Sequence, residues 1–494
     1  MKTLLQIFPP HRAYWDLLAL NGLGNSWAAK SGVAIAVWLV IALFLFRPIS
    51  RCVVRLKGLT WKRSEFCRGW LITGDTGSGK TTSGINQLAH QVFQNERKWG
   101  GLCIDEKGVY WETLQAMAEH YGRSQDLIHL QIRPDNDFKW LPPHRFNLVG
   151  DRSIPFSTYA KFVVDTATSL GQGGDKGFFK SQAQTHIAHA LELLFELRQP
   201  VTLLRAYQLL SNQTSLANAC EVLWNLIESP ERTALVEHFS SRMTDQPAEQ
   251  LGGVRETIGN FLQHFVTSEV AEIFCSKYPN TFKFSQIDEG KIICVTMPQR
   301  FQTERRYVNT FLKLLFYNHA LHRFDKPKAE RANNNLLILW ADEAQRFMTA
   351  SEDGTSDYNC VDVIREAGAT IVAAAQSTTS FIPPLGNDKS KVLTLNLRNR
   401  MIFRAADEAD AVQTADFLGK KRVVKRSWGY TAGKRTVNYS ENEEHKIKPH
   451  KLRNLRDHEC VLVHCERGFR RVTLPPLESD GSIAKWFSRW RRIF

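Results

Sequence analysis

Several things are scarce in this sequence, and each scarcity excludes something. The nine cysteines are scattered singly and no two stand as C-x-x-C. That argues against a disulfide framework or a zinc ribbon and fits a reducing compartment. The densest metal-capable set is His458, Cys460, His464 and Cys465. On a strand, Cys460 and His464 face one side and Cys465 the other, so they cannot converge on one ion. No internal repeat and no long low-complexity tract is visible, which removes solenoids and disordered tails from consideration. Acid is missing from two stretches. Residues 47–63 carry Arg47, Arg51, Arg55, Lys57, Lys62 and Arg63, and residues 481–494 carry Lys485, Arg489, Arg491 and Arg492. These two stretches hold most of the net charge of +14, so the rest of the chain is only mildly basic. A high overall charge is then no argument for nucleic acid by itself. Long apolar runs are also scarce, with one exception near the amino terminus.

That exception is Ser31 to Phe46, "SGVAIAVWLVIALFLF", which has no charge. Sixteen residues of helix reach ~24 Å, short of a ~30 Å hydrocarbon core. Including Trp27, Ala28 and Ala29, with Lys30 reaching for the interface, makes a span over 28–48 feasible. A cleaved signal would export a nucleotide loop further along the chain away from ATP, and a buried core helix would not need the cationic run that follows. An uncleaved single span is expected, and the positive-inside rule puts residues 1–30 outside and the body in the cytoplasm.

The body itself is of ordinary composition, 43% hydrophobic over a length of 494 residues, enough for roughly two to four domains. Its strongest motif is "WLITGDTGSGKTTSGINQ" from Trp70. Gly74, Asp75, Thr76, Gly77, Ser78, Gly79, Lys80 and Thr81 form a complete G-x-x-x-x-G-K-[ST], followed by Thr82. Such a loop turns successive backbone N–H groups inward on phosphates. Lys80 reaches the terminal phosphates and the Thr81 hydroxyl ligates Mg²⁺, so ATP with Mg²⁺ is the expected cofactor. A strand-like run precedes the loop, and Ile85, Leu88, Val92 and Phe93 follow at helical spacing, which puts the phosphates at a helix start. A second half-site is expected at the end of an apolar strand. "LLILWADEAQRF" supplies it, with Asp342 as the second Mg²⁺ group and Glu343 placed to orient and deprotonate water. Gln376, after the strand-like run in "TIVAAAQS", is expected to sense the terminal phosphate or help place water, against the plainer reading of a strand-end amide.

Further short apolar runs at Gly101–Asp105, Ile292–Thr296, Met401–Arg404 and Cys460–His464, with helical patterns between several of them, predict an α/β fold with a doubly wound, mostly parallel sheet. Residues 179–280 show helical spacing and no alternation, as in an all-helical insertion. The expected order is a segment 1–30, a span 28–48, a basic linker 49–68, ATPase parts 69–178 and 281–476 around the insertion, and a tail 477–494.

Taken in chain order, the motifs resemble those of the type IV coupling proteins, the TraG/TraD-like, TraM-recognition-domain ATPases of conjugation and type IV secretion. "CIDEKGVYWETL" is similar to that family's second-strand D-P-K-G segment, with Glu106 for the Pro. "RFNLVG" is similar to its Asn-Pro element, with Leu148 for the Pro. "WADEAQRF", "REAGATIVAAAQS" and the closing segments to Pro476 also match. The resemblance implies a RecA-type P-loop NTPase working as a homo-oligomer, a hexameric ring. It implies a bacterial inner-membrane location and movement of single-stranded DNA with its relaxase into a type IV secretion channel. It also implies Arg365 as an arginine reaching a neighbour's site, against the plainer reading of a solvated helix-end cation. The family commonly has two spans and a longer stretch before the loop. A receptor ATPase for secreted proteins and an FtsK/HerA-like DNA pump remain the competing readings.

Two basic stretches are left. "LGKKRVVKRSWGYTAGKRTV" interleaves Lys420, Lys421, Arg422, Lys425 and Arg426 with Trp428 and Tyr430, the pattern of a DNA contact or of a solvated hairpin. "SIAKWFSRWRRIF" places Ile483, Trp486, Phe487, Trp490 and Phe494 on one helical face. It suits either the lipid headgroup boundary or docking on the protein's own body.

Overall fold

A strand whose every residue is apolar can only sit inside a sheet covered on both faces, and the chain contains several. In the computed structural model the described residues are 52–490, apart from 135–138, 172–176, 227–228, 245–247, 353 and 432–433. The expected segment 1–30 and the span 28–48 lie outside them. No described helix is long and apolar enough to cross a membrane.

Thirteen strands are described, in chain order: β1 (Cys52–Leu56), β2 (Leu59–Lys62), β3 (Trp70–Thr73), β4 (Gly100–Asp105), β5 (Leu127–Gln131), β6 (Ile292–Thr296), β7 (Leu337–Asp342), β8 (Ala369–Ala375), β9 (Asn399–Ile402), β10 (Lys420–Thr431), β11 (Lys434–His445), β12 (Glu459–His464) and β13 (Gly468–Thr473). Nine of them form one sheet in the order β13-β12-β9-β3-β8-β7-β4-β6-β5. The run from β9 to β5 is parallel, while β12 and β13 close one edge antiparallel. β8 is buried at every residue, and its alanines leave room for helices on both faces. It lies between β3 and β7, so the phosphate-loop strand and the acid-bearing strand are separated by the strand that ends at Gln376. β4 adjoins β7 in a register that sets Asp105 opposite Asp342. The strand starts on glycine for a steric reason: a Cβ on Gly101 would come within 1.9 Å of the Ile338 carbonyl oxygen.

The expected linker 49–68 is different in the structure. From Cys52 onward it is folded, as the hairpin of β1 and β2 and a helical turn at Arg63–Phe66. Val53, Val54, Leu56, Leu59, Trp61 and Phe66 enter the apolar core on the face of the sheet that carries Trp70, Ile72, Ile338 and Trp340. The density of arginine and lysine hides this alternation, because the charged residues between them point to solvent. The helical region also starts ahead of residue 179, with Phe156–Ser169, and continues through Gly177–Glu196, Leu203–Ser211, Gln213–Trp224, Pro230–Thr244, Ala248–Leu262 and Ser268–Phe274. It shares one continuous apolar core with the sheet.

The helix Gln302–His322 lies between these layers. On one side Phe311 packs against Tyr159, Phe162 and Phe265, with ring centroids 6.5, 5.8 and 5.7 Å away. On the other it carries the buried cations Arg305 and Lys313. Lys313 donates to the Phe347 carbonyl oxygen and to Asp357, both beyond the end of β7. Asp357 also accepts from the Tyr317 hydroxyl at 2.5 Å and from the Thr349 backbone N–H at 2.7 Å. Removing one partner of a buried ion pair strands the other charge in the core. Asp357→Ala should therefore lower the unfolding free energy by ~3–5 kcal/mol, read by denaturant titration. A loss below ~1 kcal/mol would show that the pair does not hold this region.

Candidate functional site

The loop after β3 is pinned at both ends. The Gly74 N–H donates to the Gln376 carbonyl oxygen at 3.2 Å and the Asp75 N–H to the Arg404 carbonyl oxygen at 2.8 Å. Arg404 also bridges the carboxylates of Asp75 and Asp457, at 3.6 and 2.9 Å. Gly79 is at φ 104°, and a Cβ there would meet His458 Nδ1 at 2.7 Å. Only glycine admits that backbone turn and that approach. The chain then winds into a helix from Lys80, first with π-type bonding over Lys80–Ile85 and then as the α-helix Asn86–Asn95. Lys80 is only 7% exposed, and its ammonium folds back on the Gly74 and Asp75 carbonyl oxygens at 2.8 and 3.2 Å. Burial lowers its pKa, while Glu343, Asp342 and Asp75 pull the other way.

The expected second half-site converges on this loop. The Thr81 hydroxyl donates to Asp342 Oδ2 at 3.2 Å across a sequence separation of 261 residues. Burial, Glu343 and then Asp105 raise the Asp342 pKa to about 6. Asp105 is pushed up by burial and held down by the N–H groups of Tyr110 and Val109, at 3.1 and 3.0 Å. Glu343 sits at φ 53°, a left-handed conformation that a glutamate rarely adopts, and accepts from Gln345 Nε2 at 2.7 Å. Backbone strain of this kind is kept where surrounding structure enforces it, and it clusters at functional sites. A hydroxyl and a carboxylate in contact, with two more carboxylates beside them, form a hard oxygen donor set that fits Mg²⁺. A glycine loop at a helix start, with a buried ammonium, fits phosphate.

Thr76, Gly77, Gly79, Lys80, Thr81, Thr82, Asp342, Glu343 and Gln376 line one cleft of about 730 Å³. Gly74, Asp75 and Ser78 are not among the lining residues; they anchor the loop to Gln376, Arg404 and His458 through backbone hydrogen bonds. Arg365 is elsewhere. It precedes β8, a central strand, at the end of that strand opposite the one that leads to Gln376 and the cleft, where it is 44% exposed and 4.0 Å from Glu366. Within one protomer the structure does not bring it to the site. Lys420, Lys421, Arg422, Lys425 and Arg426 all lie on β10 of the long hairpin. Acids meet several of them: Asp416 is 3.9 Å from Lys420, Glu441 3.6 Å from Arg422 and Glu444 2.6 Å from Lys425. The guanidinium of Arg426 lies over the Trp428 ring at 4.0 Å.

Sequence reasoning did not place Lys107, Asp457, His458, Trp486 or Phe487 at this site, yet all of them line the cleft. Lys107 had a signal, because it follows β4 two residues past its terminal Asp105. Its loop is held by the substituted Glu106, whose carboxylate accepts from Arg306 Nε at 2.9 Å and from Gln302 Nε2 at 2.7 Å. Arg305 donates to the Met297 carbonyl oxygen at 2.9 Å, to Gln299 Oε1 at 3.1 Å and to the Glu106 carbonyl oxygen. An ion pair thus fixes the turn where the resembling family uses a proline. A larger cavity, about 1100 Å³, shares no residue with this cleft. It lies beside the far end of the helix Gln302–His322 and is lined by residues such as Phe146, Lys277 and His322.

Residues 358–475, which include β8, β9, the long hairpin, β12 and β13, match the family model described as the type IV secretion-system coupling protein DNA-binding domain. No curated protein matches the chain. Among solved structures, the bacterial conjugative coupling protein TrwBdeltaN70 is similar over 89% of this chain and 92% of its own, at 16% identity and a TM-score of 0.63. The plasmid coupling protein TrwB in complex with ADP and Mg²⁺ is similar over 89% and 92%, at 14% identity and 0.63. TrwB in complex with the ATP analogue ADPNP is similar over 88% and 91%, at 15% identity and 0.63. At such identities the likeness to TrwB is one of fold. Residues 358–475 thus match the DNA-binding domain model of the type IV secretion-system coupling proteins, and the described body is built on the fold of TrwB.

Proposed function

We propose that the protein is a Mg²⁺-dependent ATPase that drives single-stranded DNA, with its attached relaxase, toward a type IV secretion channel in conjugation. The observation that carries the reading is the contact of Thr81 with Asp342, because it joins the phosphate loop to the acid strand. The nucleotide and the cargo also draw support from the similar proteins, which are coupling proteins and include complexes with ADP and Mg²⁺.

Mg²⁺, when bound, neutralises charge that builds between the terminal phosphates. The chain's own groups supply the rest. The loop N–H groups and Lys80 hold the phosphates, and Thr81 and Asp342 hold the metal. Glu343 orients the attacking water and takes its proton, and Gln376 helps place it. We place the chain, as a ring of six copies by the family resemblance, at the inner membrane, anchored through its amino-terminal span with the ATPase body on the cytoplasmic side. Arg365, exposed at the end of β8 opposite the cleft, is then available to a neighbour's site rather than its own. The ion pairs on β10 favour a second reading, a receptor for protein cargo, in which the hairpin is a solvated surface. Stimulation of hydrolysis by single-stranded DNA separates the two.

These roles fix what the variants should do. Lys80→Ala should lose nucleotide binding, whereas Glu343→Gln should bind ATP and hydrolyse it about 100-fold or more slowly. Wild-type turnover by either would remove the site assignment. Arg365→Ala should bind ATP yet hydrolyse slowly, and mixing it with Lys80→Ala should restore part of the activity through hybrid interfaces. No restoration at any ratio would count against a role between subunits. Replacing Lys420, Lys421 and Arg422 by alanine should flatten the salt dependence of DNA binding, by about one unit of log–log slope for each phosphate no longer neutralised. An unchanged slope would take the hairpin out of the DNA path.

A further inference from the structure

The carboxyl-terminal tail docks on the protein's own body, and its place of docking is informative. After β13 the chain turns back across the helix that leaves the phosphate loop. The Leu477 N–H donates to the Thr82 carbonyl oxygen at 3.1 Å, and Gln87 Nε2 donates to the Pro475 carbonyl oxygen at 2.8 Å. His90 Nε2 donates to the Glu478 carbonyl oxygen at 2.8 Å. Ala484 and Phe487 are buried, but Trp486 is 55% exposed. Its ring stands 5.3 Å from that of His458 and 5.8 Å from that of Phe487. His458 is itself fixed to the loop. It is at φ 66°, its N–H donates to the Ser78 carbonyl oxygen at 2.9 Å, and its Nδ1 is 2.8 Å from the Ser83 hydroxyl oxygen. Three rings therefore stand against the phosphate loop on the Thr82 side and line the same cleft.

We infer that Trp486, backed by His458 and Phe487, is the wall on which the purine base of the bound nucleotide stacks. The inference rests on the nucleotide-site reading and adds the residue that binds the base. Sealing the tail to the body explains Phe487, which is buried, but not Trp486, which leaves about half of its surface to the cleft and solvent. A large aromatic surface left open beside a phosphate site is what a base needs, because stacking uses the face of a ring. The charged side chain at this wall, Asp457, is paired with Arg404 at 2.9 Å, so it does not set a strong edge-reading contact. Recognition through the face selects purines over pyrimidines by overlap and separates ATP from GTP weakly. The wall is also tied directly to the helix that carries Lys80 and Thr81, so base and phosphates are held by one rigid piece.

The test uses the full chain and three probes with Mg²⁺: ATP, CTP and inorganic tripolyphosphate, which has no base. The wild type should bind ATP more tightly than either of the others. Trp486→Ala should weaken ATP binding about 5- to 150-fold, the range of one base–aromatic stack, and leave tripolyphosphate binding unchanged. Trp486→Phe should recover most of the loss, and both variants should keep the wild-type unfolding midpoint. Unchanged ATP affinity in Trp486→Ala would overturn the inference. So would a parallel loss for tripolyphosphate, which would make the tail a brace for the loop. If the wild type binds neither ATP nor tripolyphosphate, the nucleotide-site reading fails and the inference fails with it. If it binds both equally, the site reading stands and the base wall alone is wrong.

Discussion

The helix Gln302–His322 is the constraint on which the site depends. It is the shared wall between the sheet and the helical layer, and it carries its cations inward. At its start, Arg305 and Arg306 hold the turn after β4 that presents Lys107. About two turns later, Lys313 holds the segment after β7 through the Phe347 carbonyl oxygen and Asp357. Both turns flank the cleft. Buried charges are costly unless paired, and each of these is paired with a group that must stay in place. A shift of this helix along the sheet would break both sets of contacts at once. Its opposite face, Phe311 among Tyr159, Phe162 and Phe265, ties it to the helical layer. Movement of that layer and the geometry of the site are therefore linked by one rigid element.

The site is built at some cost to the fold. Burial, and after it the carboxylates of Glu343 and Asp105 gathered at adjacent strand ends, raises Asp342 to about 6. A carboxyl raised in the folded state keeps its proton longer than in the unfolded chain. Stability then falls as pH rises from the ordinary carboxylate range through about 6, and a cation that binds the ionised form offsets that loss. Glu343 and His458 add left-handed backbone without being glycine. Carboxylate crowding, a buried ammonium and strained backbone meet within one cleft, as expected where stability has been given up for chemistry.

Much of this was legible in the sequence, for identifiable reasons. The phosphate loop, β7 with Asp342 and Glu343, and the strands β4, β6, β8 and β12 are short apolar runs beside glycine or acid, and their physics is local. The parallel sheet follows from them. What stayed hidden is what depends on distant partners. β1 and β2 were obscured by their arginines and lysines, although Trp61 and Phe66 are fully buried. β5, "LIHLQ", alternates as an edge strand does and is too short to stand out. The acids that meet β10, Asp416 ahead of it and Glu441 and Glu444 on β11, all lie outside the stretch that reads as purely basic. The tail had two readings, and only tertiary structure sets Phe487 and Trp486 against His458.

The central claim is that these loops and strand ends converge on one nucleotide. A structure of the protein with Mg²⁺ and a non-hydrolysable ATP analogue tests it most directly. The account predicts phosphates cradled by residues 74–81, the metal at the Thr81 hydroxyl and the Asp342 carboxylate, and the Glu106–Arg306 pair intact. Nucleotide seated instead in the larger cavity beside Lys277 and His322, or a metal held away from Thr81, would contradict it.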